Sequence, residues 1–397
     1  MNFIFISPQF PSGYWNFCVE LNANGVNVLA ISDTPYDSLK YQLRTALTEY
    51  YKVENLEDYD QVMKAVAYLT LKYGKIDWLE SNNEYWLEQD ARLRTDFHIM
   101  TGFHTKDVQK AKYKSIMKYL YEQNHIQTAP YIIADDQETS KAFVKKVGYP
   151  VIAKPDKGMG VRQTYQINNE NELEQFLNTE KKERFLLEQY VKGTVCSYDA
   201  IINSKGEAVF ESGSVTSVSS IDVVNKKENV YFYVMKKLPE DLREIGRRCV
   251  RAFDVRSRFI HFEFLRLMKD QEGIGKKGEL VALEANMCPK GGYSFDMLNY
   301  ANSTDVFKIW ANMIAHDHYR EVNHYDKFFC CLIGRRNNDS YLHSHNEVLS
   351  KYRANITLSD KISGTLADQL GDQIYLAKFA EETAMKQFVQ FALRGTE

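Results

Sequence analysis

The sequence predicts an α/β protein in two parts: a small parallel sheet covered by helices, then a larger α+β region built on antiparallel strands. Three observations carry this reading. Short apolar strands alternate with amphipathic helices through the first hundred residues. The stretch "CSYDAIIN-SKG-EAVFESG" reads as a hairpin turning at Lys205-Gly206. Further on, "RFIHFEFLRLM" and "GELVALEAN" read as two strands joined by a loop rich in Gly and Lys. A chain of 397 residues has room for two or three domains with separate cores.

Taken in order, "NFIFIS" is an apolar strand and "GYWNFCVELNANG" an amphipathic helix stopped by Gly25. "VNVLAIS" is a second strand, "LEDYDQVMKAVAYLTLKYG" a helix, "IDWLES" a strand and "EYWLEQDARLRTDF" another helix. No GxGxxG follows the first strand, which argues against a dinucleotide there. The lysine-rich stretch "TKDVQKAKYKSIMKYLYEQNHIQTAP" reads as one helix running into a proline turn, with most of its lysines on a solvated face. "DDQETSKAFVKKVGYP" reads as a helix with a polar N-cap, ending at Gly148. "VIAKP" and "RQTYQI" read as strands joined by a glycine loop, "NENELEQFLNTE" as a helix and "RFLLEQYV" as a strand. "PEDLREIGRRCVRAFDV" is a helix, and the last seventy residues carry further strand and helix signals without a motif.

Composition narrows the function. The net charge of −3 gives no global basic field for nucleic acid or an acidic membrane surface. No apolar run approaches the length of a membrane span. The opening "MNFIFISPQF" lacks the basic region, length and cleavage site of a secretory leader. Six scattered cysteines without a CxxC pair read as buried thiols of a reducing cytoplasm.

The chemistry-bearing residues sit in two places. In "FIHFEFLRL", His261, Glu263 and Leu265 share one strand face; in "LVALEANM", Ala282, Glu284 and Asn286 do. Antiparallel pairing of the two strands brings two carboxylates and an amide oxygen together. That all-oxygen set suits Mg²⁺, and apolar neighbours such as Phe262 and Phe264 make unpaired carboxylates costly there. Lys154 ends the apolar strand Val151-Ile152-Ala153, a costly place for an ammonium unless an anion meets it. The loop Asp156-Lys157-Gly158-Met159-Gly160 follows, and its glycines let backbone N–H groups approach phosphate oxygens. In "LLEQYVKG", the strand end offers its backbone to an adenine edge, with Glu188 accepting from the exocyclic amine.

The order of these segments resembles the ATP-grasp superfamily, in its carboxylate–amine ligase and biotin carboxylase–carbamoyl-phosphate synthase-like branch. The resemblance spans nearly the whole chain. It covers "KSIMK", "YPVIAKP", the glycine loop, "LLEQYVKG" and the block "HFEF…ALEANMCPKGG", and it extends to "IDWLESNNEYWLEQDARLR". It implies a pre-ATP-grasp, Rossmann-like parallel-sheet domain at 1–105, followed by a two-subdomain α+β ATP-grasp fold. That fold takes in 106–327, and 328–397 complete its last lobe. It implies ATP and Mg²⁺ (or Mn²⁺) as cofactors, with Glu263, Glu284 and Asn286 as metal ligands. Lys114 is the first nucleotide lysine, with Lys112 as the register alternative. Lys154 contacts the α- and β-phosphates, and Gly158, Met159 and Gly160 cover the γ-phosphate. Glu188, Gln189 and Val191 line the adenine with Leu283 beneath it. Val195 stands where the family carries an acidic ribose ligand, and Asp199 is the substitute. Cys288 stands where carboxylase-like members carry an arginine; Lys290, Arg258 or Arg266 then supplies that positive charge, and the thiol is a packing residue.

The resemblance further implies a cytoplasmic ligase forming C–N bonds. A small-molecule carboxylate, activated as an acyl-phosphate, is attacked by an amine, releasing ADP and phosphate. Nucleic acid and membrane are not partners, and a homodimer is left open. Two other readings use the same residues: a bicarbonate-activating, carboxylase-like enzyme, and a degenerate ATP-grasp module that binds nucleotide without ligase activity. Val195 and Cys288 motivate the second.

Overall fold

The structure is a computed structural model that describes residues 1–158, 163–216, 231–319 and 326–396. The first sheet is parallel. Its strands β1 (Asn2–Ile6), β2 (Asn27–Ser32), β3 (Glu49–Lys52) and β4 (Trp78–Glu80) lie in the order β3-β2-β1-β4. β1, β2 and β4 are the three apolar runs read from the sequence. β3 is an edge strand, "EYYK", whose half-buried tyrosines give no strong apolar signal. The helices end where glycine allows a positive φ: Gly25 at 74°, Gly74 at 81° and Gly148 at 77°.

Two antiparallel sheets follow. The smaller contains β5 (Tyr131–Ile133), β6 (Val151–Pro155), β7 (Tyr165–Ile167) and β8 (Phe185–Gln189), ordered β5-β8-β6-β7. The larger contains β9 (Gly193–Ile202), β10 (Ala208–Thr216), β11 (Tyr231–Val234), β12 (Arg258–Leu267) and β13 (Leu280–Asn286). It is continued by β14 (Phe329–Arg335), β15 (Ile356–Lys361) and β16 (Gln373–Phe379), in the order β13-β12-β9-β10-β11-β14-β16-β15. The β9–β10 hairpin turns with Gly206 at φ 80°, and the C-terminal strands extend the same sheet rather than forming one of their own. None of the described helices is long and apolar enough to cross a membrane.

The lysine-rich stretch departs from the sequence expectation: it forms two helices, Gln109–Lys112 and Lys114–Gln123, separated by Tyr113 in extended conformation. Tyr113 makes an isolated antiparallel bridge to Lys157, and the Lys114 N–H donates to the Asp156 carbonyl at 2.8 Å. Asp156 then caps the second helix from a distant strand end. Its carboxylate accepts from the Ser115 N–H at 2.8 Å and the Ser115 hydroxyl at 2.9 Å, and it pairs with Arg184 at 2.9 Å. No local pattern announces this break, because the competing partner lies forty residues away.

The parallel sheet is tied to the large sheet by packing and by charge. One apolar cluster joins Phe3, Phe5 and Phe17 to Phe295, Phe307 and Trp310 on the helices Ser294–Asn302 and Val306–His316. At the carboxyl end of β4, buried Glu80 accepts from Arg94 at 2.7 Å and from Arg258 of β12 at 2.8 Å. Burial alone would raise the Glu80 carboxyl, but the two guanidiniums hold it below its ordinary value. A carboxylate so depressed adds stability above its unfolded value of about 4.3, and the contribution is lost as pH falls below that. Glu80→Gln should therefore cost about 3–5 kcal/mol in urea unfolding, because two buried guanidiniums lose their counter-ion. The variant should also lack that part of the acid-induced loss of stability seen in the wild type.

Candidate active site

The large sheet carries a polar stripe on one face, set by register. One rung runs Glu284, Glu263, Ser197, Ser214 across β13, β12, β9 and β10; the next runs Asn286, His261, Asp199, Ser212. Antiparallel pairing puts Glu263 directly opposite Glu284, and both are half-buried, as is Asn286. A bulge after Glu263 makes Leu283 the extra residue of β13.

Two carboxylates face to face need cations. His261 supplies one: its Nε2 lies 3.2 Å from Glu263 Oε1, and its Nδ1 lies 2.6 Å from Asp199 Oδ1. Burial lowers the imidazole, but Asp199 and Glu263 outweigh it and hold the ring at about 9, an imidazolium at neutral pH. Burial raises Glu263, and His261, Lys290 and Lys154 bring it down to about 2. The Asp199 carboxylate also accepts from the Ser197 hydroxyl at 2.6 Å, and Ser197 lies 2.6 Å from Ser214. Lys114 supplies the second cation, 3.4 Å from Glu284 and donating to the Gly158 carbonyl at 3.0 Å.

Facing this stripe from the small sheet and the helix Lys114–Gln123 is a cationic cluster. Glu188 on β8 pairs with Lys118 at 2.8 Å and with Lys154 on β6 at 2.9 Å, all three side chains being buried. Burial raises Glu188, and the two ammoniums bring it down to about 2. Lys118 lies four residues after Lys114 on the same helix face, a spacing that could have marked it in the sequence. Among the described residues, Glu188 is the one carboxylate paired with either lysine, so two buried ammoniums meet one negative charge. That surplus fits a polyphosphate. The oxygen set Glu263, Glu284 and Asn286 fits a hard divalent cation that keeps some of its own water and phosphate ligands.

Other expected residues fall as follows. Glu188 is engaged by two lysines at its carboxylate, rather than being an open acceptor for an adenine amine. Gln189 sits at the end of β8, and its side chain donates to the Glu272 carbonyl at 3.4 Å. Val191 is buried with Ala129, Leu267, Ile274 and Val281. Asp199 has both oxygens committed, to His261 and Ser197. Gly158 has φ 148°, and Met159 and Gly160 lie outside the described residues. Lys112 is not at the nucleotide cluster: it pairs with Glu84 at 2.9 Å, and the Cys288 thiol donates to the other Glu84 oxygen at 3.8 Å. Burial pushes that thiol well up, in keeping with a packing role.

The three cations expected to replace the missing arginine separate clearly. Arg258 is buried and spent on Glu80 and the Met287 carbonyl, so it belongs to the tie between sheets. Arg266 pairs with Asp241 at 2.6 Å and donates to the Gly278 carbonyl. The Lys290 ammonium contributes to holding the Glu263 carboxyl down.

Residues 111–244 match the family model of the ATP-grasp domain. Over that segment the chain is similar to the ATP-grasp domain. The whole fold agrees. An L-amino acid ligase from Bacillus licheniformis superposes with a TM-score of 0.71 at 14% identity, covering 98% of this chain and 96% of that one. An N5-carboxyaminoimidazole synthetase from Staphylococcus aureus, complexed with ADP, gives 0.67 at 13%, covering 97% and 95%. The biotin carboxylase domain of the Hydrogenobacter thermophilus 2-oxoglutarate carboxylase, in complex with MgADP and bicarbonate, gives 0.63 at 15%, covering 95% and 86%. At these identities the likeness is one of fold. The buried cations and the carboxylate stripe meet between the small and the large sheet.

Lys154→Met removes one of the two surplus ammoniums. ATP affinity by calorimetry should fall about tenfold or more, the usual cost of losing a desolvated charge opposite an anion. Glu188 keeps Lys118 as its partner, so the fold should survive.

Proposed function

We propose that the protein is an ATP-dependent carboxylate–amine ligase, active in the cytoplasm on small-molecule substrates. The observation that carries this reading is the juxtaposition of the Glu263–Glu284 rung with Lys114 and the Lys118–Glu188–Lys154 cluster across one cleft. Lys154 and Lys118 would turn from Glu188 toward the phosphates of ATP, and Lys114 from the Gly158 carbonyl. The backbone at Gln189 to Val191 and Leu283 would flank the adenine. Glu263, Glu284 and Asn286 would hold Mg²⁺, which would supply charge neutralisation at the phosphates.

The reaction follows from that arrangement. A substrate carboxylate oxygen attacks the γ-phosphorus, the bond from that phosphorus to the β–γ bridging oxygen breaks, and ADP departs with the electron pair. The amine then attacks the acyl carbon, loses a proton and expels phosphate. Most of the catalysis on this scheme is positioning and charge neutralisation. Lys290 would stabilise the acyl-phosphate and the oxyanion that follows, since Cys288 offers no positive charge. His261, held charged by Asp199, keeps Glu263 ionised and oriented.

Glu284→Gln keeps the shape and loses the charge that would hold the metal. ADP formation with carboxylate, amine and Mg²⁺ present should be abolished, while metal-free ATP binding persists. Wild-type turnover in that variant would remove the metal from Glu284. An ADP-release screen across carboxylates and amines, with bicarbonate included, tests the reaction class itself. Turnover with bicarbonate alone would move the protein to the carboxylase-like reading.

A further inference from the structure

An attacking amine must give up a proton, and the carboxylates of the cleft are already engaged. Glu263 and Glu284 serve the metal in the proposed reaction, and Glu188 is held by two lysines. The parallel sheet points to another candidate. Its strands run from β1 through β2 to β3 in one direction, and the chain then returns to lay β4 on the other side of β1. At such a reversal of strand order the connections diverge and leave a crevice at the carboxyl ends of the strands, the usual ligand position in sheets of this kind. The chain leaving β4 at that crevice carries Glu84.

Glu84 stands beside the end of β13. Its Oε1 accepts from Lys112 at 2.9 Å, and its Oε2 lies 3.8 Å from the Cys288 thiol. Among the described residues no other side chain holds that second oxygen, and 17% of the Glu84 side chain is exposed. Lys112 also donates to the Glu84 carbonyl at 3.0 Å, which ties the turn independently of the carboxylate. The helix break at Tyr113 couples this residue to the metal strand. Residues on either side of an extended position lie about 6.5 Å apart and face one way, so Lys112 meets Glu84 while Lys114 meets Glu284. Burial raises the Glu84 carboxyl, Lys112 lowers it, and the charge of Glu284 raises it again, leaving it above its ordinary value. A carboxylate in that setting takes a proton more readily than an exposed one.

Resting on the ligase reading, we propose that Glu84 receives the attacking amine as its ammonium ion and takes its proton. The ammonium donates to Glu84 Oε2, the oxygen that a cation at Cys288 would occupy and the thiol leaves open. One proton passes to that oxygen and frees the nitrogen lone pair, which forms the C–N bond with the acyl carbon. The bond from that carbon to the phosphate oxygen breaks with its electron pair on the phosphate, which carries away the second nitrogen proton.

The test compares two kinds of nucleophile on the full chain, with Mg²⁺, ATP and pooled carboxylic and amino acids as acyl donors. Hydroxylamine is neutral near neutral pH and attacks an acyl-phosphate without a base, whereas alkylamines and amino acids arrive as ammonium ions. The wild type should form hydroxamate, read by its iron(III) colour, and amide, read by mass spectrometry. Glu84→Gln should cut amide formation about 10²-fold or more, the scale of losing a general base, and leave hydroxamate formation close to the wild-type rate. Glu84→Asp keeps the charge one methylene short and should recover part of the amide formation; it carries the comparison if a urea transition shows Glu84→Gln unfolded. Amide formation unchanged in Glu84→Gln, amide and hydroxamate falling together in a folded variant, or a wild type that makes hydroxamate but no amide would each overturn the role of Glu84 and leave the nucleotide site standing. A wild type that makes neither product would remove the ligase reading, and the role of Glu84 with it.

Discussion

Glu263 and Glu284 stand opposite each other on adjacent antiparallel strands, and like charges so placed repel. The surroundings offset that repulsion with named cations. His261, kept protonated by Asp199, serves Glu263; Lys114 serves Glu284. Asp199 in turn accepts from the Ser197 hydroxyl, which is itself hydrogen-bonded to Ser214. The stripe is thus a set of mutually dependent charges laid out by strand register, and a slip of one residue would turn every member to the opposite face.

Around that stripe the chain places its cations on separate elements. Lys154 lies on the small sheet, Lys114 and Lys118 on a helix that starts where Asp156 caps it, and Lys290 after β13. The cleft is therefore completed only when the small sheet and the large sheet face each other. The parallel sheet takes part as well, since Glu80 at the end of β4 fixes Arg258 at the start of β12. A residue at the strand terminus thus sets the far end of the strand that carries His261 and Glu263.

Much of this was legible in the sequence because it repeats at short range. Alternation in "FIHFEFLRL" and "LVALEANM" placed the acidic face, and glycines marked the helix ends and the β9–β10 turn. What escaped is long-range. The break at Tyr113 depends on Asp156 and Lys157, the pairing of Lys118 with Glu188 spans two elements, and Arg258 answers to Glu80 in another sheet. Side-chain period says which face a residue occupies, but not which charge it meets there. Ser197 and Asp199, two apart in the otherwise apolar run "CSYDAII", were the one short-range hint of the stripe's continuation beyond β12. The helix read through Tyr113 shows the converse: a favourable local pattern yielded to hydrogen bonds from a distant strand end.

The central claim is that the buried cation surplus around Glu188 exists to hold polyphosphate. It is tested most directly by measuring the affinities of ATP, ADP, AMP and adenosine for the wild-type protein by calorimetry under one set of conditions. The expected result is a fall in affinity along that series, with the largest step where the β-phosphate is lost, because Lys118 and Lys154 then face a single phosphate group in place of two or three. Adenosine binding as tightly as ATP would contradict the account, since the lysines would then serve Glu188 alone.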